Sequence, residues 1–216
     1  METLFTVSLI IHIISGYLAL AAGTTAIIAR KGQNVHRKAG RLFVLAMLGV
    51  GASAFSMSSI KGNQFLFHIA IFTMYQVYGG WRALRQRDLR ANAVDWIVAS
   101  AGLINGVVML FTGNIVLMVF GGISVLLGVG NLRTHLRVRQ GKEIHRLAWL
   151  RKHIGMMMGA FIATVTAFIV VNVTNVQPGW VLWLAPTAIF MPVMQYHTRR
   201  VMRAHPGVMR TARGRA

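Results

Sequence analysis

Histidine is the residue type best placed to do chemistry in this chain, which has eight of them and no cysteine. Without cysteine there are no disulfides, thiolate ligands or thiol nucleophiles. Two histidines, His12 and His68, fall inside long apolar segments, where an ionisable side chain is costly and marks a functional candidate. His12, Gly16, Ala19 and Gly23 follow helical spacing and share a face. So do His68, Phe72, Tyr75 and Gly79. A histidine beside small residues leaves room for something flat against the helix, either another helix or a porphyrin. Counting 1.5 Å per residue, His12 lies about 12 Å below Leu4 and His68 about 5 Å below Phe65. Two imidazoles at similar depth on different helices can ligate one haem iron axially, an arrangement suited to electron transfer. His12 and His68 are therefore the expected iron ligands, and haem b is the expected cofactor. The competing reading makes them structural or proton-linked histidines that bond to water or a carbonyl.

A second constellation gathers in the basic stretches: His36, His153 and His197, with Arg37, Arg151 and Lys152 nearby in sequence. It suits an anionic group such as a propionate, a phosphate or a lipid head group. Basic loops are also expected there from topology alone. His135, His145 and His205 belong to the same side, His205 lying beyond the last apolar segment.

Asp95 is the one acidic residue within an apolar segment. Ala99, Gly102 and Gly106 continue its face. It is expected to pair with an arginine or to relay protons. Asn105, Asn131 and Asn172 are expected to cross-link helices. Thr164 and Thr166 are further polar groups at lipid depth that need partners. No His-Glu-x-x-His, Walker loop or Gly-x-Ser-x-Gly occurs. The last segment has no lysine for a retinal Schiff base. Met156 to Met158 point in different directions around one helix, which argues against a copper site.

Positioning these residues falls to seven apolar segments: 3–29, 42–60, 65–81, 93–112, 114–132, 154–176 and 180–196. The chain of 216 residues is 55% hydrophobic and 12% charged, against about a quarter charged in soluble domains. The sequence reads as an all-α, seven-helix transmembrane domain over 1–198, followed by a basic tail over 199–216. Arg151 to Asn172 (RKHIGMMMGAFIATVTAFIVVN) states the recipe most clearly. It has a basic entry, an uncharged run long enough to cross a bilayer, and Gly155, Gly159 and Ala163 on one smooth face for close helix approach. Of the 23 Lys and Arg residues, all but Lys61 fall on one side of a seven-crossing topology. The positive-inside rule then places the N-terminus outside and the C-terminus in the cytoplasm. The net charge of +19 is accounted for by topology and anionic lipid contact, not by nucleic acid. Pro186 and Pro192 should bend the last helix.

The stretches HIISGYLALAAG, KGQNVHRKAGRLF, RKHIGMMMGAFIATVTAFIVVN and WLAPT resemble a family of bacterial predicted membrane proteins, domain of unknown function 2306. His12, Gly16, His36, Arg37, Gly40, His153, Thr166 and Asn172 match its motif positions. The resemblance implies a helical membrane bundle and carries no activity. The residues lead to the expectation of an inner-membrane protein that binds haem or a similar redox group and is fed by quinol. The alternative is a non-redox transporter or assembly subunit. Small-residue helix faces also suit association into an oligomer.

Overall fold

The computed structural model describes residues 1–204 and 209–210; His205, part of the expected basic tail, lies outside them. Seven helices run through the described residues: α1 (Glu2–Ile28), α2 (Asn34–Lys61), α3 (Gln64–Arg85), α4 (Ala93–Leu110), α5 (Ile115–Arg139), α6 (Ala148–Asn172) and α7 (Trp180–Arg203). Two short strands, β1 (Ile144–His145) and β2 (Met209–Arg210), pair antiparallel. α1, α2, α4, α5 and α6 are long and apolar enough to cross a membrane. α3 and α7 are long enough but more polar. α3 tolerates Tyr75, Gln76, Tyr78 and Arg82 because it is the central helix, packed by α2, α4, α5 and α6. Its polar groups face protein. By contrast, α1 shows Ile10, Ile11, Ile13 and Ile14 on its surface, as a helix bathed in lipid does.

Four helices close a ring: α1 packs on α2, α2 on α3, α3 on α6, and α6 back on α1. α1 and α3 form one diagonal of this ring and α2 and α6 the other; α2 and α6 meet through side chains, Phe43 against Phe161 and Thr164 against Met47. α4 and α5 pack on each other outside α3, and α7 lies against α6. The middle of the ring is filled by Ala19, Ala22, Phe43, Met47, Val77, Ala160 and Phe161. Small residues let the walls approach. A Cβ at Gly23 would strike the Phe161 ring, and one at Gly159 would occupy the place of the Gln76 carboxamide.

At their basic ends most helices run past the hydropathy limits, while at the other end α4 stops at Leu110 and α6 at Asn172, short of the expected 112 and 176. α2 starts at Asn34, so most of the expected basic loop is helix, and His36 and Arg37 sit on its first turn. α5 extends to Arg139 and α7 to Arg203, carrying helix past the expected domain limit at 198. Apolarity marks where a helix meets lipid, whereas Lys and Arg extend the same helix into the interface with their stems along it. The expected smooth face of α6 is close-packed only at Gly159. Around Gly155 there is open space.

Candidate functional site

His12 and His68 lie on α1 and α3, opposite walls of the ring. His12 Nδ1 is 3.0 Å from Ser53 Oγ on α2. The Ser53 hydroxyl donates to the Gly49 and Val50 carbonyls, so the imidazole is the donor in the His12 contact. His68 Nδ1 is 2.7 Å from Asn105 Oδ1 on α4, and Asn105 Nδ2 donates to the His68 carbonyl. His68 is again the Nδ1–H donor. A neutral imidazole with Nδ1 protonated has its lone pair on Nε2. Their depths agree as well. On α2, the ring of Phe55 meets Phe67 of α3 at 5.5 Å, and Gly51 faces Met74. Ser53 lies between these contacts, so its partner His12 is level with 67–74 of α3, the stretch that holds His68.

The inner histidines occupy the other diagonal. His36 Nδ1 donates to the Ala26 carbonyl at the end of α1 (2.8 Å), and His153 Nδ1 donates to the Gly80 carbonyl of α3 (3.0 Å). Each therefore has the same tautomer as the outer pair. His36 and His153 lie within electrostatic reach of each other. Arg37 reaches only Asn34 Oδ1 (2.8 Å) and is exposed. Lys31 joins His36 in capping α1 through the Ala26 and Ile27 carbonyls, and partial burial pushes its ammonium below the usual lysine range. His197 is not drawn into this group; it is exposed on α7 with its ring against Tyr196.

Asp95 is buried and fully engaged. It accepts from Arg82 Nε (2.8 Å) and Nη2 (3.0 Å), from Tyr78 Oη (2.8 Å), and from the Asn92 amide as one half of a capping box. Of the three asparagines, Asn105 and Asn131 do cross-link helices, the latter by donating to Tyr75 Oη. Asn172 does not; it is exposed and donates to the Phe168 carbonyl of its own helix, because it has reached the end of α6. Thr164 donates within α6 and to Met47 Sδ.

Two buried polar side chains on the ring helices lack partners. Thr166 Oγ1 on α6 and Gln76 Nε2 on α3 make no hydrogen bond, and both residues are 1% exposed. Gln76 is absent from the hydropathy reading, although a glutamine amid 65–81 is a signal of protein contact. His135 is another such residue, buried on α5 against Trp96 with Nδ1 unpartnered. Beside the outer pair, a cleft of about 460 Å³ is lined by Phe65, Asn114, Val173, Gln177, Trp180 and Trp183. Phe65 is one turn from His68 on α3.

Among the described residues no three His, Asp or Glu side chains converge, so the donor sets on offer are histidine pairs. Such pairs suit a haem. Iron takes imidazole through Nε2 when Nδ1–H is held by an acceptor that orients the ring. One turn from His12, Gly16 has nothing within 4 Å of where a Cβ would stand.

Fold and side chains define a polytopic helical membrane protein with histidines near both ends of a four-helix ring, His68 being turned from the ring toward α4. Residues 9–112 match the family model DUF2306, described as a predicted membrane protein, the family that the sequence motifs resemble. That span runs from α1 through α4 and holds His12, His36 and His68. No curated protein and no solved structure matches the chain.

Proposed function

We propose that this is an inner-membrane electron carrier of bacterial type that holds a haem b between His12 and His68. One observation carries the reading. Two imidazoles at one depth, His12 on α1 and His68 on the α4 side of α3, both have Nδ1 tied to an acceptor, which leaves Nε2 as the lone-pair nitrogen. Bound there, the haem supplies a one-electron couple. Ser53 and Asn105 fix the tautomer and the ring planes. The open space at Gly16 admits a flat group beside His12. The mid-ring core of Phe43, Met47 and Phe161 keeps water from the site on the inner side. The neighbouring cleft, with its Trp and Phe walls and the Gln177 and Asn114 amides, is of a size that suits a small ring and is the place for a quinol. Orientation follows charge, with the N-terminus outside and the Lys- and Arg-rich ends meeting anionic lipid in the cytoplasm.

Protein purified from haem-replete cells is expected to be coloured, with the sharp reduced bands of low-spin iron. His12→Ala or His68→Ala abolishes or shifts those bands, while His197→Ala leaves them unchanged. Colourless protein without bound metal refutes the reading. The histidines are then structural, as in a transporter or assembly subunit, and their Nδ1 bonds are their whole role.

A further inference from the structure

The structure holds a second histidine pair at the other end of the same ring. We infer that His36 and His153 are the axial ligands of a second haem, at the basic end of the bundle. This extends the reading above to the inner diagonal and takes the class of ligand from it.

Placement is the first argument. His36 is on α2 and His153 on α6, opposite walls of the ring that meet deeper in, where the Phe43 and Phe161 rings lie 6.4 Å apart. Each inner histidine donates Nδ1–H to a backbone carbonyl of a flanking wall, Ala26 of α1 or Gly80 of α3. A backbone carbonyl can only accept, so these two tautomers are fixed more firmly than the outer ones. Both lone pairs are on Nε2, and both rings are half-buried. Gly40 follows His36 by one turn, and nothing lies within 4 Å of a Cβ built on it. The same is true of Gly16 after His12. The histidine–glycine step of α1 is thus repeated on α2, and in both places it leaves open space on the histidine's face.

Charge is the second argument. The outer layer has no basic side chain from the ring helices near it in sequence except Lys61, whose ammonium lies over the Phe5 ring. The inner layer is flanked by Arg37, Lys38 and Arg41 on α2 and by Arg151 and Lys152 on α6. Haem propionates at this end would meet guanidinium and ammonium groups, which pair well with carboxylates. Depth is the third. His36 and Ser53 are seventeen residues apart on one helix, which is about 26 Å of rise, close to the ~30 Å hydrocarbon thickness. The two histidine layers therefore stand near opposite faces of the membrane, with the Phe43–Phe161 contact between them.

The bland role for His36 is to cap α1, and for His153 to brace α3. The test separates these roles. Haem and protein are quantified in purified wild type and in single His→Ala variants at positions 12, 36, 68 and 153. Two haems per chain are expected in wild type, and one in each variant. His153→Met keeps a ligand while losing the imidazole. It should retain two haems and raise the reduction potential of one of them, since methionine–histidine ligation is more oxidising. A wild type with one haem, lost in His12→Ala and kept in His36→Ala and His153→Ala, overturns the inner site and leaves the outer one standing. One haem lost in His36→Ala and kept in His12→Ala and His68→Ala does the reverse. Colourless wild type overturns both.

Discussion

Replacing Gly159 by alanine probes the closest approach in the ring. A Cβ at that position would overlap Gln76 Oε1 and stand 2.8 Å from its Cδ. Gln76 is 1% exposed, so its carboxamide has no solvent to retreat into. Forcing extra volume into a packed interior costs about 1–3 kcal/mol. Against this, alanine in place of glycine within a helix returns about 1 kcal/mol. The net change in the wild-type background is therefore a loss of about 0–2 kcal/mol. With Gln76→Ala in place the obstacle is gone, and Gly159→Ala should stabilise by about 1 kcal/mol. A chain of this size shifts by about 2–4 °C per kcal/mol. Thermal unfolding in detergent should thus show Tm unchanged or lowered by Gly159→Ala alone, and raised by it in the Gln76→Ala background. The coupling from the double-mutant cycle falls at about 1–3 kcal/mol. Equal Tm shifts in the two backgrounds would refute the α3–α6 contact. Gly159→Leu, with three more carbons to place, should be worse than alanine.

Other expectations can be checked in the same detergent assays or in cells. Asp95→Ala strands the Arg82 guanidinium and should cost about 3 kcal/mol; Arg82→Ala on top of it should recover part of the lost Tm. Tyr75→Phe deprives the buried Asn131 amide of its acceptor and should cost about 1–3 kcal/mol, so an unchanged Tm would remove that bond. A reporter fused after Ala216 should work in the cytoplasm and one inserted near Gly62 outside; a cytoplasmic signal from Gly62 would overturn the orientation.

Seven helices were readable from hydropathy because lipid-facing surface is what hydropathy measures. The same measure misplaced the start of α2, since the basic turn carrying His36 and Arg37 stands in the interface, not in lipid. It also gave no reason to single out α3, whose polar side chains mark it as the helix most enclosed by protein. Helical spacing correctly put His12 beside Gly16, and Asp95 found the arginine expected of it. The sequence suggests a cross-link at Asn172 that the structure lacks, because spacing alone does not show where a helix leaves its neighbours. The orphaned Gln76 and the pairing of α1 with α3 and α2 with α6 across a ring depend on which helices are diagonal. That order is tertiary, and no local pattern in the chain encodes it.

The ring is not closed in chain order. Its first three walls are complete by Arg85, but the fourth is α6, which begins at Ala148. During synthesis, N-terminal elements form first. α4 and α5 must therefore emerge and settle on the far side of α3 before the last wall arrives. Until then the Gly80 carbonyl, the Gln76 carboxamide and the Phe43 ring all face a gap. Any chain that stops short of α6 has one inner histidine, and its mid-ring core is exposed to lipid. Docking of α6 is thus the committing step in assembly, and a group held between His36 and His153 could be locked in only after it.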